Sequence, residues 1–290
     1  MKSFGGQTVT GPLRRVIVRQ PDQAFAAADP VAWNYDARPL LDQARREHQA
    51  FVSILRHEGV EVIYSDEPTD TLADAIYVHD SVLITDAGAI VLRMGKCLRR
   101  GEELVMARLL ERLGVPVIGR LQEPAVGECG DMFWLDPRNL AIGLSFRTNR
   151  EGARQISALV APHGITVHSY DLPYFKGSHS CLHLLSLVSL VDKDLAVAYP
   201  PLMPVALCQE LEARGIELIE VPQDEFLRGM ATNVLALGPR RCVMLEGNPI
   251  TEARLRENGC EVVTYTGQEI SLKAEGGATC LTRPLLRVDG

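Results

Sequence analysis

The sequence predicts an α/β ring of five ββαβ-type units, with helices outside and mixed sheets meeting at a central channel. Three observations predict it. Five times a helix-like amphipathic run ends in Gly and passes at once into an alternating apolar strand: HEGVEVIY at Gly59, RLGVPVIG at Gly114, PHGITVHS at Gly164, ARGIELIE at Gly215 and ENGCEVVT at Gly259. These glycines lie 55, 50, 51 and 44 residues apart, and self-similarity at such a period marks one supersecondary unit that has been copied. Finally, a hairpin-like pair of apolar runs follows each first strand, and LRRVIVRQ near the N-terminus is left over to close the ring with the last unit. A doubly wound sheet is the alternative, but it predicts neither five copies of one joint nor the repeated hairpin.

The elements follow in order. In ARPLLDQARREHQAFVSILRHEG, Leu40, Ala44, His48, Phe51, Val52 and Leu55 fall near helical spacing with charges on the other face. Gly59 supplies the left-handed cap that ends many helices, and VEVIY alternates as a strand. AIYV and SVLITDAGAIVLR then read as strands with a turn at Asp86–Gly88. The second unit runs VMARLLERLG, VPVIG, MFWL and LAIGLS; the third runs GARQISALVAPHG, ITVHSYD, LHLLSLVSLV and LAVAYP. The fourth is ALCQELEARG, IELIEV, NVLALG and RCVMLE, and the fifth is TEARLRENG, CEVVTYT and CLTRPLLR. No Pro/Ser-rich or strongly charged linker interrupts them, so residues 1–290 are expected to form one domain.

Composition bounds the function. Apolar residues are 46% and charged residues 23% of the chain, which excludes disordered and collagen-like classes. A net charge of −7 without a Lys/Arg run argues against nucleic acid as a partner. No apolar stretch approaches the roughly 20 residues that span a bilayer, and the start lacks the apolar core of a signal peptide. Seven scattered cysteines with no CxxC argue against a disulfide framework or structural zinc, so a reduced cytoplasmic setting is expected. A homodimer is the expectation from general frequencies of assembly.

Several residues could carry chemistry. Cys280 follows paired glycines and Ala-Thr in KAEGGATC, a small-residue approach that a buried structural cysteine does not need. His183 falls in an apolar run expected to be a strand, where its ring is either a satisfied core group or a catalytic one. GECGD offers Glu128 and Asp131, which read either as turn caps or as carboxylates orienting an imidazole. LADAIYVHD brings Asp74, His79 and Asp80, where a cation between the aspartates would relieve their repulsion. Arg99 in LRRGEE and Arg147 in SFRTNREG are surface charges or carboxylate clamps. Thiol, imidazole and carboxylate placed after equivalent joints would converge on the channel, as a cysteine nucleophile requires. Acidic groups at one end and basic groups at the other suit a zwitterion with a cationic tail.

The chain resembles the guanidine-modifying superfamily of the pentein fold, a five-bladed α/β propeller, and most closely its dimethylarginine dimethylaminohydrolases. The likeness runs from GPLRRVIVRQP through ADAIYVHD, GECGD, GLSFRTNREG and LHL to GGATCLTRPL. It implies a hydrolase that converts N-methylated arginine to citrulline without metal or organic cofactor. Cys280 would be the nucleophile, His183 the general acid and base, and Glu128 the group orienting His183. Asp80 would hold the guanidinium and Asp74 the α-amino group, while Arg99 and Arg147 would hold the α-carboxylate. Asp131 would be structural. His79 stands where the family carries Glu beside the essential Asp, so guanidinium recognition there differs. ECGD replaces the family's paired glycines, which places Cys129 near the site. Hydrolysis of arginine itself, amidino transfer, and a plain binding role for such a ring are the rival readings.

Overall fold

The computed structural model describes residues 2–69 and 71–288. The helix Leu41–His57 buries Ala44, His48, Phe51, Val52 and Leu55 along one face, as its apolar spacing dictates, while Leu40 stays exposed at its start. All five joint glycines adopt left-handed backbone, with φ of 78°, 72°, 71°, 70° and 77° in chain order. A Cβ added at any of them would meet nothing within 4 Å, so glycine is selected here by the dihedral rather than by crowding. At Val60, Val115, Ile216 and Cys260 the next amide reaches back five residues to a helix carbonyl, the bond that closes a Schellman cap.

The strands assemble into five three-stranded sheets of one pattern. In each, the first strand pairs antiparallel with the second, and the second pairs parallel with the third across an outer helix. The same order holds for Val188–Asp192, Leu195–Ala198 and Glu217–Glu220, and for Leu235–Gly238, Arg241–Leu245 and Glu261–Tyr265. The ring closes as expected: Leu13–Val18 pairs antiparallel with the C-terminal Arg283–Arg287 and parallel with Glu61–Tyr64. One cavity is lined by Leu83, Met132, Ser189, Leu235 and Pro284, one from each sheet's first strand, so those strands are innermost and surround a channel. Each glycine joint therefore ends one blade, and the segment after it crosses inward to open the next.

Those crossing segments depart from expectation. AIYV is no strand: Ala73–Ile76 is a single 3-10 turn, buried on all sides, so nothing forces alternation. His183 likewise sits outside any strand, ahead of a short turn over Leu184–Ser186, and the strand begins at Val188. Short helices at Pro30–Trp33 and Gln223–Gly229 were not legible from spacing.

Candidate active site

The crossing segments bring their polar residues to a pocket at one end of the channel, with Trp33, Asp74, Asp80, Arg147, His183 and Cys280 among its walls. Glu128, completely buried, anchors it. Its Oε1 accepts the backbone N–H groups of Gly95 and Lys96, both at 3.0 Å. Its Oε2 faces His183 Nε2 at 2.8 Å and accepts from Arg147 Nη1 at 3.3 Å. Burial opposes its ionisation, but the bonds from His183 and Arg147 win and hold the carboxyl well below its usual range.

His183 is fixed from both sides, because its Nδ1 lies 3.2 Å from Cys181 Sγ. Burial alone would lower its pKa; the sulfur of Cys181 and the carboxylates of Asp80 and Asp131 overturn that and raise it well above the ordinary value. The ring therefore rests as imidazolium at neutral pH. Asp131 acts from behind, accepting Ser145 Oγ at 2.7 Å and the N–H of Leu184 at 3.0 Å, which pins the histidine's own segment. Burial lifts Asp131 to about 6. Gly130 is required between them, since a Cβ there would collide with the His183 ring and with Asp80.

Asp80 offers one oxygen to Gly130 N–H at 2.9 Å and the other to Arg99 Nη1 at 2.6 Å. Burial would raise its pKa, but Arg99 and His183 keep it lowered. Asp74 accepts Tyr35 Oη at 2.6 Å and Lys96 Nζ at 2.7 Å. Cys280 is half-buried, and Asn233 Nδ2 donates to its sulfur at 3.3 Å. Burial and the nearby Asp80 push its thiol up to about 11. The resting sulfur is thus protonated and needs a cation beside it to become a nucleophile.

Two sequence expectations are corrected. His79 does not face the pocket: its Nδ1 bonds the Thr282 carbonyl at 2.9 Å and the side chain lines the channel beneath. Burial, reinforced by Arg283, pushes it down to about 3, so it is neutral, and it lies outside the pocket wall where a guanidinium would be recognised. Arg99 lines the pocket, yet its guanidinium is already bound by Asp80, by Glu102 (2.8–3.1 Å) and by the Tyr77 carbonyl. It supports Asp80 rather than standing ready for an α-carboxylate; Arg147, whose guanidinium among the described residues is held by Glu128 alone, is the freer cation. Asp80, Glu128 and His183 each bring a donor within 4.8 Å of the others, and Arg99 Nη1 already stands between the two acids, 2.6 Å from Asp80 and 3.9 Å from Glu128. Cys129, expected near the site, is buried against Arg283 on the channel side.

Sequence reasoning passed over Cys181, Lys96 and Tyr35. Cys181 had one available signal, its position two residues before His183; Lys96 and Tyr35 had none, since their partners come from distant segments. The paired glycines before Cys280 do keep bulk out, though for another reason: Tyr77 presses on Gly276 and Asn233 on Gly277.

Residues 20–287 match the sequence profile of the family described as N,N dimethylarginine dimethylhydrolase, eukaryotic. The chain belongs to this family. It is accordingly a C–N hydrolase of the dimethylargininase type, acting on the guanidino group of dimethylarginine. Among curated relatives, the N(G),N(G)-dimethylarginine dimethylaminohydrolase of Pseudomonas aeruginosa is 26% identical, over 93% of this chain and 98% of its own. The protein of the same name from Streptomyces coelicolor is 28% identical over 93% of this chain and 96% of its own. A solved structure of the Pseudomonas aeruginosa enzyme, a cysteine-to-serine variant complexed with citrulline, superposes with a TM-score of 0.78 at 24% identity, covering 94% of this chain and 99% of that one. The five-bladed pentein architecture is the common scaffold.

Proposed function

We propose that Cys280 is the nucleophile and His183 the general acid and base in hydrolysis of dimethylarginine to citrulline and dimethylamine. The observation that carries this is the buried His183–Glu128 pair at 2.8 Å, in one pocket with Asp80 and the Cys280 thiol. The substrate guanidinium would lie against Asp80, its carbon over the sulfur, its α-amino group toward Asp74 and its carboxylate toward Arg147 and Lys96. Its positive charge lowers the thiol pKa, and the Cys280 proton leaves to solvent. Sulfur attacks the guanidinium carbon; as the tetrahedral adduct collapses, His183 gives its proton to the departing dimethylamine. The remaining thiouronium is attacked by a water whose proton passes to the now neutral His183. That transfer restores the imidazolium, and as the adduct expels the sulfur its hydroxyl proton passes to the departing thiolate, which releases citrulline and regenerates the Cys280 thiol.

Replacing Cys280 by Ser should lower turnover at least about 10³-fold, and rapid quench with mass spectrometry should trap the thiouronium on wild-type Cys280. Turnover within tenfold of wild type in the variant would overturn the scheme. A panel of guanidino substrates, with citrulline and released amine both quantified, separates dimethylarginine from arginine hydrolysis and from amidino transfer.

We also propose that residues 1–290 form one domain, supported by the pairing of the first and last strands, and that it works in a reducing cytoplasm as a homodimer without nucleic-acid or membrane partners. The scattered free cysteines and the net charge of −7 support the setting. Among the described residues no helix is long and apolar enough to cross a membrane. Light scattering tests the assembly.

A further inference from the structure

Below the pocket, the channel carries charge that catalysis does not use. Arg283 and Arg287 lie on the innermost C-terminal strand, line the channel, and are only 8% and 5% exposed. Arg283 Nη1 donates to the carbonyls of His79 and Val82, both at 3.1 Å, and to Cys129 Sγ at 3.0 Å. Arg287 gives Nη1 to Gly11 O and Nη2 to Ala236 O, both at 2.7 Å. Among the described residues Arg283 Nη2 and Arg287 Nε find no acceptor, and neither guanidinium has a carboxylate partner. Other buried arginines differ: Arg19 holds Asp22, Arg99 holds Asp80 and Glu102, and Arg147 holds Glu128.

A buried cation without a counter-charge is costly, and two on one wall repel. Burial and that repulsion pull Arg287 down to about 9. Of the other titratable groups on this wall, His79 is neutral and burial holds the Cys129 thiol above its ordinary pKa, so neither brings negative charge. The remaining lining mixes apolar Leu83, Ile84 and Phe133 with the hydroxyls of Thr8, Ser189 and Thr279. Ser189 Oγ already donates to the Thr232 carbonyl at 2.7 Å and Thr279 Oγ1 to the Val234 carbonyl at 3.5 Å, so the surface offers few free donors and no further cation, which suits a small monoanion and would leave a doubly charged oxyanion undersatisfied.

We propose that the central channel binds a small inorganic monoanion of the chloride class against Arg283 and Arg287. The anion completes the charge balance of the channel wall. It also steadies Arg283, whose bond to the His79 carbonyl backs the segment whose amide donates to the Cys280 carbonyl at 3.3 Å. The site is independent of the guanidino chemistry.

The test uses the whole purified chain. Thermal unfolding is followed while sodium chloride or bromide replaces sodium gluconate at constant ionic strength. A halide that binds only the folded state should raise Tm saturably, by about 4 °C at high occupancy. Arg283→Met and Arg287→Met should lose that dependence, and Arg100→Met, at an exposed position, should keep it. Chloride-35 line width, measured on the unmodified protein and titrated with bromide, gives a reading that needs no variant. Equal unfolding in halide and gluconate overturns the proposal, as does halide dependence that survives in both channel variants. Should either variant fail to fold, the absence of bromide-competable line broadening on wild type overturns it alone.

Discussion

At the scale of single residues, the arrangement keeps the acid of the proposed scheme charged and its nucleophile neutral until substrate arrives. His183 is held as imidazolium by Cys181, Asp80 and Asp131, while Cys280 is lifted to about 11 by burial and Asp80. Such a thiol alkylates slowly near pH 7 and faster as pH climbs toward its pKa, because only the thiolate reacts. Asn233 is a positioning residue here: its amide donates to the sulfur, a bond that favours thiolate, and its Oδ1 accepts from Thr279 N–H at 2.9 Å. Asn233→Ala should raise the thiol pKa further and slow iodoacetamide labelling at pH 7–9 by about tenfold, the factor that one pKa unit gives. Labelling of Cys280 across that range, read by mass spectrometry, checks it. A profile coincident with wild type would remove Asn233 from the mechanism.

At the scale of elements, glycines divide into two kinds that predict different losses. The joint glycines serve backbone alone, so Gly164→Ala, at φ 71° with open space around it, should cost about 1 kcal/mol in urea unfolding and leave activity unchanged. Gly276→Ala should reduce kcat/KM at least about tenfold, since its Cβ would drive into Tyr77 on the pocket wall. Equal effects of both on activity would sink the distinction. The same division explains what could be read from sequence. A left-handed cap after an amphipathic run is a local signal, repeated five times, so the ring and its closure were legible. Cys280, His183, Glu128 and Asp80 were legible as candidates because their residue types are unusual beside apolar runs, while the roles proposed for them came from the family resemblance. The crossing segments were not: Ala73–Ile76 is buried on every side and shows no period. His79 and Asp80 are neighbours in sequence, yet one bonds toward the channel and the other enters the pocket. Arg99 was misread for a related reason, because Glu102, one helical turn on, claims it.

At the scale of the molecule, the ring has no privileged starting blade. Leu13 pairs with Arg287 across the closing sheet, and Arg287 N–H donates to the Gly5 carbonyl at 2.9 Å, so the two ends of the circuit are side by side. All five crossing segments approach the same end of the channel and each supplies a residue there: Asp80, Glu128, His183, Asn233 and Cys280. What the site needs is therefore the closed circle and the crossings, not the order in which the chain visits them. A circular permutant that joins the ends by a flexible linker and opens between the exposed Lys193 and Asp194, in a hairpin turn, should fold and retain kcat/KM within about tenfold. Opening instead between Cys280 and Arg283, where the crossing enters the innermost strand, should abolish activity even if circular dichroism reports folded blades. Steady-state kinetics on the two permutants settle the matter: an inactive but folded Lys193 permutant would mean that chain order, and not only ring closure, positions Cys280 against His183.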